Sequence, residues 1–424
     1  MRWRRFVAGL GAGVLLGLHA PAGIAAPPDA ASESDAVRAF ALAYRQIKSR
    51  YAEPLDDRKL VADAIRGMVG GLDPFSYYLD AEAYDGLRQD TAGTFGGLGM
   101  EVSMEKNAVR VIAALEDSPA MRAGLQPGDL ITRFDDRSVE GMSLEQAIQQ
   151  ARGAPDTSIA LTVLRGDAQP RLVTLKRAVI QSRTVRAAAI DPSYAYFQVS
   201  YFNKQTPGRL LAAIAAAYET SGVLKGIVLD LRDNPGGVLR AGVGVASLFL
   251  PDDALIVTTQ SASEESRMHF SARPVHGPEG QDYANVLGNA LKTVPMVVLV
   301  NGASASAAEI VAGALQSHRR ATIVGTKTFG KGTVQVVLPL DDGAAMKLTT
   351  AYYYTPDGRR IQGSGVVPDI AVEVARPANA AADVPVAAPA CAQRAARDDG
   401  AIRADCQLDR AVEILRKPPI LVRG

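Results

Sequence analysis

The chain has 424 residues, a formal net charge of +1 and an apolar fraction of 47%. That length accommodates two or three domains of roughly 100–200 residues, and the near-neutral charge excludes the basic footprint of a nucleic-acid-binding protein. Four histidines and two cysteines leave little material for metal or histidine-triad chemistry.

Residues 1–5 are basic, 6–18 form a short apolar run, and 22–26 are small. This is the layout of a secretory signal peptide, placed at 1–25 with cleavage near Ala25, and it points to the periplasm or cell envelope. A retained anchor is the alternative, but the run is shorter than the roughly 20 residues a spanning helix needs. Between 36 and 72 the pattern is helical: Phe40, Leu42, Ala43, Ile47 and Tyr51 share a face, as do Leu60, Ala64, Ile65 and Met68 after Pro54. Gly70-Gly71 stops the second helix and Asp73-Pro74 opens a turn. An N-terminal helical segment is therefore placed at 33–90.

The next block, 91–178, mixes strand and helix. Gly96-Gly97-Leu98-Gly99-Met100 leads into one strand, 109–112 is a second, and Ser118-Pro119-Ala120 starts a helical turn. A turn at Gly128-Asp129 feeds strand 130–134. Ser143 caps a helix with Leu144, Ala147, Ile148 and Ala151 on its apolar face, and 159–164 and 172–175 alternate as strands. From 179 to 375 strands alternate with helices, the pattern of an α/β layer structure. The strands are expected at 194–199, 226–231, 296–300, 321–324, 333–338 and 347–354. The helices are expected at 207–220, with Thr206 as cap, and at 306–316. The tail, 376–424, is an Ala/Pro-rich linker followed by a helix at 408–415. Cys391 and Cys406 both fall in it. In an oxidising compartment such a pair suits a disulfide, with two free thiols as the alternative.

Ser306 follows the apolar run 296–300 and opens a helix. Backbone N–H groups at such a junction are unpaired and can hold a developing oxyanion. The same residues, Ser306-Ala-Ala-Glu309, also fit a capping box in which the serine only satisfies backbone donors. A serine nucleophile needs a base. His318 sits at the far end of the same helix, while His269 and His276 lie in a polar loop without an aspartate pattern. A histidine triad lacks a well-placed histidine, though the sequence alone leaves His269 and His276 open. The favoured base is lysine: Lys331 in the glycine-flanked loop 325–332, with Lys327 as competitor. Desolvation can bring a lysine amine from near 10.4 towards roughly 7–8. Two solvated surface lysines are the bland alternative. The third piece, Asp230-Leu231-Arg232 with Asn234-Pro235-Gly236-Gly237, ends an apolar strand. It reads equally as a second oxyanion donor or as a plain tight turn.

Taken together and in order, several blocks resemble the carboxyl-terminal processing (tail-specific) family of serine–lysine peptidases. They are Leu72-Asp73-Pro74, Gly96-Gly97-Leu98-Gly99, Ser118-Pro119-Ala120, Ala123-Gly124-Leu125 and Gly128-Asp129. The later ones are Asp230-Leu231-Arg232, Asn234-Pro235-Gly236-Gly237, Ser304-Ala305-Ser306-Ala307, Thr328-Phe329-Gly330-Lys331-Gly332 with Gln335, Thr355-Pro356-Asp357-Gly358 and Pro368-Asp369-Ile370. The resemblance implies a multidomain α/β protein: a crotonase-like serine protease core, an inserted PDZ domain and the N-terminal helical segment. It makes Ser306 the nucleophile, Lys331 the general base and Gln335 the residue that orients the lysine. Ala307 and one of Gly236 and Gly237 then supply the oxyanion N–H groups. One departure is Ala308, where many relatives have serine.

Read as a PDZ domain, the block 91–178 holds a peptide's terminal carboxylate on the loop Gly97-Leu98-Gly99-Met100 while the peptide adds a strand. Leu98, Met100, Leu144 and Ile148 line a pocket for an apolar terminal residue. A scaffolding role without a bound tail is the rival. Arg165 is a candidate for linking PDZ occupancy to the catalytic loop. The expected activity is serine endopeptidase cleavage of proteins with apolar C-termini, without metal, nucleotide or other cofactor. The resemblance also implies control by PDZ position, homo-oligomerisation or an adaptor, and no residue identifies which. A noncatalytic PDZ adaptor and a crotonase-type acyl-CoA enzyme are the rival readings.

Overall fold

Met296–Val300, five consecutive apolar residues, is buried throughout, as a strand covered on both faces must be. The structure, a computed structural model, describes residues 30–373 apart from 106, 116, 167, 262–266, 284–286, 288 and 341–342, together with 405–417. The expected signal peptide, the linker and Cys391 lie outside those residues. The chain divides into two units, Met1–Ile65 and Arg66–Gly424. In the first lie α1 (Ala30–Arg50) and the opening of α2 (Asp57–Gly70). The loop between these helices contains Pro54, which has no N–H to give to a helical ladder. Among the described residues no helix is long and apolar enough to cross a membrane.

The second unit begins with β1 (Tyr77–Leu79), α3 (Ala81–Ala92) and β2 (Thr94–Gly97). There follow β3 (Met100–Glu105), β4 (Ala108–Ala114), α4 (Pro119–Arg122), β5 (Leu130–Phe134), β6 (Arg137–Ser138), α5 (Leu144–Ala151), β7 (Ser158–Leu164) and β8 (Arg171–Lys176). They form a sheet in the order β3-β4-β5-β7-β8, with β6 on β5. Val111, Ile131, Phe134, Leu161 and Val163 fill its core. β3 is an edge strand. Ser143 caps α5 in a full capping box, donating its N–H to Gln146 Oε1 at 2.8 Å and accepting the Gln146 N–H at 3.2 Å. The way in and the way out are tied together, because β9 (Ala178–Gln181) pairs antiparallel with β2.

The remaining elements are β10 (Val185–Asp191), β11 (Tyr194–Val199), α6 (Thr206–Ser221), β12 (Gly226–Asp230), α7 (Leu239–Phe249), β13 (Leu255–Gln260), β14 (Met268–Ser271) and α8 (Ala290–Thr293). After them come β15 (Met296–Val300), α9 (Ala307–Ser317), β16 (Thr322–Gly325), β17 (Thr333–Pro339), β18 (Ala345–Tyr354), β19 (Ile370–Ala371) and α10 (Cys406–Arg416). One sheet runs β10-β11-β12-β15-β16-β19, parallel except at β10. Alternate strand residues face opposite ways. Phe197, Leu229, Val298 and Ile323 meet Leu210, Val245, Phe249 and Val311 from α6, α7 and α9. Tyr196, Val228, Val297 and Val324 meet Leu408, Ala411 and Leu415 of α10. Each of those two leucines contributes about 1.5–3 kcal/mol on burial. A second sheet runs β1-β18-β13-β14, with β17 on β18.

Thr206 does not cap α6. It is the first helical residue, Gln205 is the cap, and the Thr206 hydroxyl turns inward to Thr184 at 2.9 Å. Burial of that hydroxyl against a partner outcompetes a role at the solvent-facing end.

Candidate active site

β12 and β15 are parallel neighbours, so the loops leaving their C-terminal ends lie side by side, where open α/β sheets form their crevices. The two loops are stitched together. The Ala305 N–H donates to the Asn234 carbonyl at 2.9 Å, and Ser304 Oγ donates to the Leu231 carbonyl at 2.7 Å. The Asp233 N–H donates to Asn301 Oδ1 at 3.0 Å, and Asn301 Nδ2 donates back to Asp233 Oδ1 at 2.9 Å. The first serine of Ser304-Ala305-Ser306 is thereby committed to structure.

Ser306 is the N-cap of α9, at φ 55° and ψ −114°. This is a sparsely populated region for a residue with a Cβ. Gly236 makes room for it: a Cβ on Gly236 would lie 2.7 Å from Ser306 Cβ and 3.0 Å from the Ala307 nitrogen. The Gly236 N–H is taken by Asn234 Oδ1 at 2.8 Å. Among the described residues, the N–H groups of Ala307 and Gly237 have no acceptor.

Glu309, one turn into α9, is fully buried and collects four donors. Its Oε2 accepts the N–H of Ser306 at 2.8 Å and that of Lys331 at 2.9 Å. Its Oε1 accepts the Thr328 hydroxyl at 2.5 Å and the Gly330 N–H at 2.6 Å. Burial pushes the Glu309 carboxyl above its usual range, and these four hydrogen bonds oppose the push.

The Lys331 side chain is half-buried, and burial, with Lys347 as a second cause, holds its amine below the ordinary lysine value. Its Nζ lies 4.9 Å from the centroid of the Phe75 ring and makes no hydrogen bond among the described residues. Gln335 Nε2 donates to Thr333 Oγ1 at 2.5 Å and reaches Thr349 Oγ1 at 3.4 Å, rather than pairing with the lysine. Burial raises Tyr353, and the nearby Ser306 side chain opposes the rise.

Below the crevice, Asp230 accepts Tyr196 Oη at 2.7 Å and pairs with Arg232 at 2.6 Å. Arg232 Nη1 also reaches Asp405 Oδ2 at 2.7 Å and Gln407 Oε1 at 2.9 Å, at the start of α10. The histidines are elsewhere: His318 Nε2 contacts the Leu255 carbonyl at 2.7 Å, His269 faces Thr258 at 3.4 Å, and His276 is exposed. Lys327, the competing lysine, is exposed.

In the block 91–178, Gly97 ends β2, Leu98 and Gly99 form the loop, and Met100 starts β3. The Leu98 and Gly99 N–H groups have no acceptor among the described residues. Met100, Leu144 and Ile148 are half-buried while Leu98 is buried. Arg165 is engaged inside this block: Nε and Nη2 bind Asp129 at 2.6 and 2.8 Å, and Nη2 binds the Gly124 carbonyl at 2.8 Å. Cys406 begins α10.

Residues 193–372 match peptidase family S41, 110–165 match a PDZ domain, and 24–83 match the N-terminal domain of the activating protease CtpB. A carboxy-terminal-processing protease of Bartonella bacilliformis is 42% identical over 333 residues, covering 78% of this chain and 73% of that protein. The chain belongs to the carboxy-terminal-processing protease family. A carboxyl-terminal-processing protease of Synechocystis is 36% identical over 337 residues, covering 77% of this chain and 74% of its own. Among solved structures, a photosystem II D1 C-terminal processing protease is 32% identical, with 78% of this chain and 86% of that chain covered and a TM-score of 0.45. The protein is accordingly a serine-type endopeptidase of this family, with a PDZ domain.

Three side chains at the candidate site of this peptidase were not reached from the sequence as parts of it. Glu309 was visible only as the last residue of a capping-box pattern. Tyr353 and Phe75 carried no local signal, because each meets the site through a long-range contact.

Proposed function

We propose that this carboxy-terminal-processing peptidase cleaves peptide bonds through an acyl-enzyme formed by a Ser306–Lys331 dyad. Its substrates are exported or envelope proteins whose apolar C-terminal tails dock on the PDZ domain. One observation carries the reading: a single oxygen, Glu309 Oε2, accepts the backbone N–H groups of both Ser306 and Lys331. The serine and the lysine are thus anchored at one point, and partial burial holds the lysine amine below its ordinary value.

In the reading, neutral Lys331 Nζ takes the proton of Ser306 Oγ as that oxygen attacks the substrate carbonyl carbon. The oxyanion receives the N–H groups of Ala307 and Gly237, the two left without acceptors, whereas Gly236 is already spoken for by Asn234. The lysine then returns the proton to the leaving amine. A water deprotonated by Lys331 attacks the ester carbon and frees Ser306. Gln335 as the orienter of Lys331 rests on the family resemblance and requires its amide to leave Thr333. Tail recognition draws support from the edge position of β3 and from the Leu98 and Gly99 N–H groups that await an acceptor. Export through a signal peptide cleaved near Ala25, a Cys391–Cys406 disulfide, the crotonase-like description of the core and control by oligomers or an adaptor belong to the same reading.

The test is cleavage of an unfolded polypeptide ending in apolar residues. Ser306→Ala and Lys331→Ala are both expected to abolish it, and a C-terminal amide on the substrate is expected to slow it. Full activity in Lys331→Ala overturns the dyad, and indifference to the amide overturns tail docking.

A further inference from the structure

The segment that follows α2 is built to hold one aromatic ring in place. Asp73 Oδ1 accepts the N–H groups of Phe75 and Ser76 at 2.8 and 2.9 Å, and Asp73 Oδ2 accepts Ser76 Oγ at 2.7 Å. Thr349 of β18 locks the turn from the other side. Its Oγ1 donates to Asp73 Oδ1 at 3.2 Å, and its N–H donates to Ser76 Oγ at 3.0 Å. Immediately after Ser76, β1 joins β18 as a strand. The ring so held presents its face to Lys331 Nζ at 4.9 Å, within the roughly 6 Å at which an aromatic face attracts a cation.

The ring face attracts the ammonium, not the neutral amine, because the attraction is between a positive charge and the ring quadrupole. General-base catalysis needs the neutral amine. The charged and titratable groups around the amine do not provide a competing acceptor. Lys347, from β18, repels it, while its own Nζ is spent on Tyr77 Oη at 3.2 Å. The Glu309 carboxylate, from α9, takes the backbone N–H of Lys331 rather than its amine. Tyr353 is buried beside Ser306 and, with its hydroxyl pushed above its ordinary value, stays neutral.

We infer that Phe75 is a positioning residue for the Lys331 amine, storing it as a cation on the ring face and away from the Ser306 hydroxyl. The inference rests on the dyad reading of Lys331. In the described arrangement the amine is parked: its contact is the ring, and it bonds neither Ser306 nor Gln335 among the described residues. Thr349 touches both the Asp73 turn and Gln335, so release of the ring and rotation of the Gln335 amide involve one shared residue of β18.

The experiment replaces Phe75 with phenylalanines carrying one, two and three ring fluorines. These keep the shape of the ring while draining its face of negative potential. The readout is the pH dependence of kcat for tail-dependent cleavage. The ascending limb is expected to move stepwise to lower pH with each fluorine, and the rate near pH 7 to rise by about two- to five-fold across the series. Phe75→Leu, which keeps apolar cover without a ring face, is expected to match the most fluorinated enzyme, and Phe75→Tyr to match the parent. A fluorine series with an unmoved ascending limb overturns the inference, as does a Phe75→Leu enzyme slower than the parent at unchanged pH dependence. Lys331→Ala in the same assay separates the two levels. If it is inactive while the fluorine series is flat, the inference about Phe75 alone fails. If it is active, the dyad reading fails and takes the inference with it.

Discussion

Replacing Glu309 by glutamine keeps the shape of a buried side chain and turns one acceptor oxygen into a donor. The two carboxylate oxygens are not equivalent in what they hold. Oε2 takes two backbone N–H groups, from Ser306 and Lys331, while Oε1 takes the Thr328 hydroxyl and the Gly330 N–H. A hydroxyl can turn and accept, whereas a backbone N–H cannot. The glutamine NH2 therefore settles toward Thr328 and Gly330, which strands one N–H instead of two. One buried donor without a partner costs about 1–3 kcal/mol, so Glu309→Gln is expected to lose that much unfolding free energy while Ser306 and Lys331 stay anchored. Glu309→Ala strands three N–H groups and opens a void in a fully buried position. Its loss is expected to be at least about twice as large. With Ser306 and Lys331 both released, cleavage should fall by about 100-fold or more, the usual penalty for displacements near 1 Å at a reacting centre. Urea unfolding of both variants, with initial rates on an unfolded polypeptide, measures the two effects. A glutamine variant as damaged as the alanine variant, or an alanine variant with full activity, would falsify the reasoning.

Lys331→Met gives a pH test. The folded amine sits below its unfolded value of 10.5, so the native state binds fewer protons between those two values and wild-type stability rises with pH across that window. The methionine variant should lack that rise and melt above wild type at pH 7, with no cleavage. Equal stability profiles for the two proteins through the alkaline range would count against a desolvated lysine. Arg165→Ala removes the main partner of Asp129, which is 1% exposed, and should destabilise the PDZ domain by about 1–3 kcal/mol, read as faster proteolysis within it. An altered peptidase rate with unaltered PDZ proteolysis would favour a signalling role for Arg165 instead. Asp405→Ala takes away both the cap of α10, which accepts the Leu408 N–H at 2.9 Å, and a partner of Arg232 at 2.7 Å. Faster hydrogen exchange across α10 is expected, with a cap loss of about 1 kcal/mol. Unchanged exchange there would show that the leucine contacts alone hold the helix.

Elements with a strong period were legible from the residues themselves. β11, β15 and β5 lie where apolar runs and alternation put them. α5 follows its serine cap, because Ser143 and Gln146 satisfy each other locally. What went unread was short or depended on distant partners. β1, β2 and β9 have three or four residues each, and their ladders join segments far apart in sequence. α7 (Leu239–Phe249) contains Gly242 and Gly244, each of which disfavours a helix by about 1 kcal/mol relative to alanine. It forms because tertiary packing overrides that preference. A Cβ at Gly242 would lie 3.1 Å from Ala307 Cβ and one at Gly244 2.8 Å from Pro207 Cγ, so both glycines let neighbouring elements approach closely.

At Ser306 the two readings of the sequence do not exclude each other. As a cap, the pattern Ser306-Ala-Ala-Glu309 is satisfied at least in the half that matters here, with the glutamate accepting the serine N–H. That same carboxylate reaches over to Thr328, Gly330 and Lys331, which no local pattern could have announced. A side-chain-bearing residue at φ 55° and ψ −114° carries about 1–3 kcal/mol of backbone strain, and such strain persists only where the surroundings over-determine it. Here they do: the Asn234 carbonyl holds Ala305 from one side, Gly236 leaves space for the serine Cβ, and Glu309 holds the serine N–H from within the helix. The helix cap, which competed with catalysis as an explanation of this serine, is therefore part of what keeps Ser306 in its strained backbone conformation. Both roles meet at one residue: the glutamate holds the serine N–H, while a serine Oγ that accepts a backbone N–H as a cap still has its own proton to give to a base.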